Sequence, residues 1–175
     1  MDKQKTIFLL IGPKGGGKSF VGGLFEEYFD IPFIPVEDWL IKSSKGKDFR
    51  DESHLQASFE TIESGIRENI RHQDKLVFES TGLSQHFNKM LNNLHKDHKV
   101  VPVFIYAGMH RCLQRIRKRD QDKHIYISEE DIIEINHAVM EKDQIFEHRI
   151  DNTNKSIEEL LVELKIIIGK ANIAY

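Results

Sequence analysis

Gly12-Pro13-Lys14-Gly15-Gly16-Gly17-Lys18-Ser19 is the stretch whose reading decides the fold. Its spacing is G-x-x-x-x-G-K-S, a loop suited to holding a polyphosphate. Such an anion needs many donors converging on one small volume. Glycines let backbone N–H groups turn inward with no Cβ in the way. Lys18 can then reach the β- and γ-phosphates of a nucleotide, and the Ser19 hydroxyl can ligate Mg²⁺. A helix beginning near Lys18 would point its positive end at the anion. The flanks agree with this reading. Thr6 to Ile11 is an apolar, β-prone run directly before the loop, and Phe20 to Phe29 reads as a helix directly after it. Strand, loop and helix in that order are the setting such a loop requires.

Outward from the loop, composition sets the class. The chain has 175 residues, 39% hydrophobic and 30% charged, with a formal net charge of −3. That length suits one domain, 1–175, with a real core. The mild acidity supplies no global field toward nucleic acid or anionic lipid, so neither is expected as a partner. Cys112 is the lone cysteine, which excludes an intramolecular disulfide and fits a reducing cytoplasm. The apolar run Ile7 to Ile11 is too short for a membrane span or a signal peptide. A monomer or homodimer is expected.

The periodicity then alternates along the chain. The first helix carries Val21, Leu24, Phe25 and Tyr28 at helical spacing and is broken by Asp30-Ile31-Pro32. Phe33 to Val36 reads as a short second strand ending at Glu37-Asp38. A polar loop is expected over 41–48. Leu55, Phe59, Ile62, Ile66 and Ile70 mark one face of a long helix from Asp51 to His72. Leu76-Val77-Phe78 is a buried strand ending at Glu79-Ser80-Thr81-Gly82, followed by a helix over Gln85 to His95. Val100 to Tyr106 is a fourth strand and Met109 to Asp120 a basic helix. Ser128 caps a helix that is predicted to run to Phe146. His148 to Asp151 is a fifth strand, and Ser156 caps the last helix, with Glu159 three residues on.

Strands alternating with helices imply parallel strands and right-handed crossovers, with sites at the carboxyl ends of the strands. The fold class expected is α/β: a three-layer α/β/α P-loop NTPase fold with a five-stranded parallel sheet. Three polar clusters fall at strand ends: Glu37-Asp38, Glu79-Ser80-Thr81 and Asp151-Asn152-Thr153. The first two are expected to face the phosphate loop, and the third to lie farther away.

With these motifs in place, the chain resembles the small P-loop kinases, most of all the shikimate kinase and nucleoside-monophosphate kinase group. The likeness rests on the loop, on Val21-Gly22 and Leu24, and on Ile31-Pro32-Phe33-Ile34. It also rests on Arg115-Ile116-Arg117-Lys118-Arg119, and on Ile150-Asp151-Asn152 ahead of the last helix. The resemblance implies an acceptor-binding segment over 39–75 and a lid over 109–128. It implies ATP held by Gly12 through Ser19 and Phe20, with Arg115 and Asn152 flanking the adenine. Ser80, Thr81 and Gly82 stand where shikimate kinases carry a triple glycine at the acceptor. Pro35 and Glu37 stand where they carry D-x-D, and Glu60 where they carry a carboxylate-binding arginine. A glutamate about 4 Å from a substrate carboxylate costs on the order of 4 kcal/mol at an effective dielectric near 20. An acceptor other than shikimate is therefore expected.

Phosphoryl transfer is mostly positioning and charge stabilisation. Lys18 and Arg119 are the candidates for stabilising the moving phosphoryl group. Arg115 shares a helix face with Arg119 at i, i+4. Asp38, Glu37 or Glu79 can orient an acceptor hydroxyl, and Ser19 with Glu79 can hold Mg²⁺. Trp39 packs either on the acceptor or into the core. The nine histidines read as surface residues. The function expected is an ATP- and Mg²⁺-dependent kinase of a small metabolite, nucleoside or nucleotide. The alternatives are a nucleotide-binding regulator without transfer, or a GTPase-type switch. Against the switch, Asn154-Lys155 opens an N-K-x-D motif, but Ile157 stands where the guanine-reading aspartate belongs.

Overall fold

The computed structural model describes residues 4–36, 39, 52–119, 127–142 and 145–172. Glu37, Asp38, the loop expected over 41–48 and residues 120–126 of the lid expected over 109–128 lie outside the described residues. The strands are β1 (Thr6–Ile11), β2 (Phe33–Ile34), β3 (Lys75–Ser80), β4 (Lys99–Tyr106) and β5 (His148–Asp151). The helices are α1 (Lys18–Phe29), α2 (Glu52–Arg71), α3 (Gln85–Asp97), α4 (Met109–Arg117), α5 (Glu129–Met140) and α6 (Ile157–Ala171). All sheet pairings are parallel, in the order β2-β3-β1-β4-β5.

The alternation of β1 builds the layers. Ile7, Leu9 and Ile11 point to one face, where they meet Ile62, Ile66 and Ile70 of α2, Phe87, Met90 and Leu94 of α3, and Val139 of α5. Phe8 and Leu10 point to the other face, against Val21, Leu24 and Phe25 of α1 and Leu160, Leu164 and Ile167 of α6. A strand covered on both faces needs an unbroken apolar run, which is what Thr6 to Ile11 supplies. Each such side chain contributes roughly 1.5–3 kcal/mol by burial. The helix–sheet–helix sandwich is thus the three-layer architecture expected.

Several boundaries moved, each for a local reason. β2 stops at Ile34 because Pro35 has no N–H for the ladder, and Val36 is already helical. α5 ends at Met140 and not at Phe146, whose ring stacks on Phe104 at 5.1 Å and 14°. The expected caps are present: the Ser128 side chain accepts from the Asp131 N–H, and Ser156 and Glu159 form a capping box. Trp39 packs on the core beside α2. A Cβ on Gly65 would lie 2.4 Å from its ring, so that glycine makes room for the indole. Among the described residues, no helix is long and apolar enough to cross a membrane.

Candidate active site

Ile11, the last residue of β1, is in register with Ser80 on one side and Phe104 on the other. The chain leaving it therefore emerges between the carboxyl ends of β3 and β4, where open parallel sheets bind ligands. The phosphate loop then turns back on itself. The Gly16 N–H donates to the Pro13 carbonyl at 3.1 Å. Lys18 is 9% exposed, and its ammonium donates to the carbonyls of Gly12 at 2.9 Å and Pro13 at 3.0 Å. α1 starts at Lys18 itself, where the loop spacing places it, with Gly17 as its cap.

The glycines are demanded twice over at two positions. Gly15 and Gly17 have φ of +78° and +99°. A Cβ on Gly15 would lie 2.4 Å from the Cys112 carbonyl oxygen, and one on Gly17 would lie 2.1 Å from Asn152 Nδ2. The loop is walled closely enough that only bare backbone fits, and bare backbone is what a phosphate approaches.

Arg115 and Asn152 form one of those walls. Arg115 Nη1 donates to the carbonyls of Gly15 and Gly16, both at 3.3 Å, and Nη2 donates to the Asn152 carbonyl at 2.7 Å. Burial, then the nearby Arg111, pushes the Arg115 pKa down, but an arginine has ample reserve to stay charged. Asn152 is 3% exposed and donates from Nδ2 to the Gly16 carbonyl at 3.1 Å. This corrects the expectation that the third polar cluster lies away from the loop. Two residues after Ile150, Asn152 shares that residue's side of the sheet, toward α1, and so turns onto the loop.

The carboxylate expected at the end of β3 is in place. The Ser19 hydroxyl donates to Glu79 Oε1 at 2.8 Å. A cavity of about 170 Å³ opens beside them. Lys14, Lys18 and Arg119 give it positive charge; Glu79, Ser80 and Thr81 form its polar rim. Val36, Phe59 and Ile62 line it as apolar wall. Phe59 and Ile62 lie on the apolar face of α2 and within the segment 39–75 that the resemblance assigns to the acceptor, and both line this cavity.

Other expected residues stand elsewhere. Glu60 is exposed, accepts a hydrogen bond from Gln56 Nε2 at 2.9 Å, and faces a groove between α2 and α3. One residue along a helix is a rotation of about 100°, which takes Glu60 off the wall that Phe59 forms. Gly82 is buried with φ +74°, its would-be Cβ against Ile11 and Phe87, so it shapes the turn after β3 without lining the cavity. Phe20 is half exposed on the first turn of α1 and is likewise off the cavity wall. Asn136 was not singled out in the sequence. It is fully buried and bonds both backbone groups of Lys14. Its signal was a polar residue in phase with Ile132 and Val139 on the apolar stripe of α5.

The donor set fits a hard cation and a polyphosphate. An alcohol oxygen and a carboxylate oxygen suit Mg²⁺, which takes one or two protein oxygens and fills its octahedron with water and phosphate. Among the described residues, no group of three or more His, Cys, Asp or Glu side chains could hold a metal by itself. Gly15 and Gly17 line the cavity beside Lys14 and Lys18, which places loop backbone where an anion would enter.

No family model matches the chain, and no curated protein sequence matches it. Solved structures do. The shikimate kinase from Acinetobacter baumannii, in complex with shikimate, matches at a TM-score of 0.68 and 14% identity, over 98% of this chain and 97% of that one. A gluconokinase from Sinorhizobium meliloti matches at 0.63 and 15%, over 96% and 94%. The APS kinase from Mycobacterium tuberculosis, in complex with AMPPNP and APS, matches at 0.62 and 12%, over 95% and 98%. The chain has the fold of the small P-loop kinases and resembles the shikimate kinase group.

Proposed function

We propose that this protein is an ATP- and Mg²⁺-dependent phosphotransferase acting on a hydroxyl of a small metabolite, nucleoside or nucleotide. One observation carries the reading: Ser19 and Glu79 are hydrogen-bonded at 2.8 Å on the rim of a cavity that Lys18 and Arg119 also line. Carboxylate, hydroxyl and two cations around one small space are what in-line transfer of a phosphoryl group requires. The fold of solved kinases that act on shikimate, gluconate and APS supports the same class.

In this reading the amides of the glycine loop bind the β- and γ-phosphates of ATP. Lys18 leaves the Gly12 and Pro13 carbonyls for the phosphate oxygens, a stronger partner for an ammonium. The acceptor oxygen forms a bond to the γ-phosphorus as the bond to the bridging oxygen breaks, and ADP leaves. The acceptor proton passes to a carboxylate, Glu79 or Asp38, the latter outside the described residues. Arg119 stabilises charge on the transferred group. Bound Mg²⁺, which Ser19 and Glu79 would hold, supplies charge neutralisation at the phosphates. Ser80 and Thr81 offer hydroxyls to the acceptor, and Phe59 and Ile62 an apolar face. With Glu60 off the cavity wall, the charge argument against a carboxylate acceptor falls away, so acids belong in the test.

The test is ADP release from Mg-ATP with shikimate, gluconate, nucleosides and nucleoside monophosphates in turn. Stimulation by one of them is the expected result and names the acceptor class. ATP binding in calorimetry with no stimulation by any acceptor would favour a nucleotide-binding regulator. Lys18→Ala should abolish tight nucleotide binding.

A further inference from the structure

We infer that Asn136 is a positioning residue for the phosphate loop, fixing the backbone of Lys14 in addition to the Arg115 and Asn152 contacts at Gly15 and Gly16. It lies in the middle of α5, 122 residues from Lys14, and is 0% exposed. Its Oδ1 accepts the Lys14 N–H at 2.7 Å and its Nδ2 donates to the Lys14 carbonyl at 2.9 Å. The two bonds reproduce on one side chain the pairing that a neighbouring strand would offer, at a point where the chain has left the sheet.

Chemistry makes this residue specific. Satisfying the N–H and the C=O of one residue takes a donor and an acceptor side by side, which only a carboxamide holds at neutral pH without charge. Glutamine is one methylene too long for a fully buried slot. Aspartate offers acceptors alone and would set a negative oxygen against the Lys14 carbonyl. The surrounding positions of the buried stripe are Ile132 and Val139, so an apolar residue would serve packing better. The polar choice is therefore explained by the loop it holds and not by the core it sits in.

The consequence is preorganisation. The loop peptides at Gly15 and Gly16 are held by Arg115 and Asn152, and the peptide at Lys14 by Asn136. A loop already fixed in its binding shape loses less conformational freedom when an anion enters. The inference rests on the phosphate loop binding nucleotide phosphates, and not on the identity of any acceptor.

The experiment compares the wild-type protein with Asn136→Asp, which keeps the shape, and Asn136→Leu, which keeps the volume. ADP and inorganic pyrophosphate are titrated by calorimetry, adenosine binding is followed by ligand-observed NMR, and thermal unfolding is recorded for each protein. The expected result is a loss of affinity on the order of tenfold or more for ADP and pyrophosphate alike, with adenosine unchanged. Where acceptor kinetics are available, KM for ATP rises and KM for the acceptor does not. Folded variants that bind ADP and pyrophosphate as the wild type does, with only a lower melting temperature, overturn the inference. Equal losses for ADP and adenosine also overturn it, because a general distortion would not track phosphate. A wild-type protein that binds neither ADP nor pyrophosphate overturns the phosphate-loop reading itself, a failure separable from that of Asn136.

Discussion

Arg115 Nη2 donates to the Asn152 carbonyl at 2.7 Å and so joins α4 to the loop that follows β5. The same guanidinium reaches the carbonyls of Gly15 and Gly16 at 3.3 Å. One planar fork thus ties two distant segments to the phosphate loop, which a lysine cannot do with a single ammonium. Arg115→Lys is expected to weaken ADP binding about tenfold and Arg115→Ala somewhat more, since hydrogen bonds from a charged group are worth about 1.5–3 kcal/mol. Calorimetry reads this directly. Wild-type affinity in both variants would show that the fork holds nothing the nucleotide needs.

Gly17 and Gly23 lie in and beside the same helix start but predict opposite outcomes. Alanine at Gly17 forces a side chain onto a φ of +99° and into Asn152 Nδ2, breaking that residue's bond to the Gly16 carbonyl. Alanine at Gly23 meets nothing within 4 Å. Gly17→Ala should lose tight ADP binding and melt lower. Gly23→Ala should bind ADP normally and gain roughly 0.5–1 kcal/mol of stability from helix propensity. Denaturant titration and calorimetry on the pair check both.

The contrast between loop and acceptor explains what could be read from the sequence. The phosphate loop is contiguous, and its spacing follows from the ligand's own geometry, so Gly12 to Ser19 declared itself. The sheet was legible for a similar reason: Thr6 to Ile11 is apolar throughout because both of its faces are covered. Asn136 and Asn152 act through contacts 122 and 136 residues away; a polar residue on the apolar stripe of α5 and a resemblance at Asn152 mark the residues but do not name their partners. Glu60 was misplaced by a rotation of one helical residue, a precision that a register borrowed from distant relatives does not carry. The direction of Asn152 follows from strand parity with the buried Ile150.

Acid should loosen the packing of α2 on α3. Arg67 bridges them, with Nη1 on Asp97 Oδ2 at 2.7 Å and Nη2 on the Asn93 carbonyl at 3.0 Å. The hydrogen bond from Arg67 holds the Asp97 carboxyl below its ordinary range. The folded pKa is therefore the lower one, so the pair's stability is full above the unfolded value and is lost as pH falls through the folded value. Burial, and then Arg67, also lowers the pKa of His98, which adds a loss of the same sign beginning below about pH 6.5. The melting temperature is expected to fall on acidification in these two stages. Asp97→Asn should flatten the lower stage and slightly enlarge the upper one, because the Asp97 charge holds the neighbouring His98 up. Because Asp97 is solvent-exposed, the effect of that substitution should be modest and shrink further in high salt. An acid limb identical in wild type and Asp97→Asn would remove the pair from the account.

Glu79 separates binding from transfer. Its carboxylate accepts from the Ser19 hydroxyl at 2.8 Å at the cavity rim, while the loop glycines are held by other residues. Removing its charge should therefore leave the loop intact. Glu79→Gln is expected to bind ADP without Mg²⁺ within about twofold of wild type, since the change in loop contacts is well under 1 kcal/mol. The strengthening of ADP binding by Mg²⁺ should disappear, because a neutral amide is a poor partner for a hard cation. The turnover of ATP with the acceptor should fall by roughly 10²–10⁴, the usual worth of a positioned acid–base group. Ser19→Ala should share the loss of the Mg²⁺ response but cost less turnover if Glu79 also takes the acceptor proton. Equal losses in the two variants would confine Glu79 to the metal and leave proton removal to Asp38. Full turnover with an undiminished Mg²⁺ response in Glu79→Gln would exclude this carboxylate from both roles.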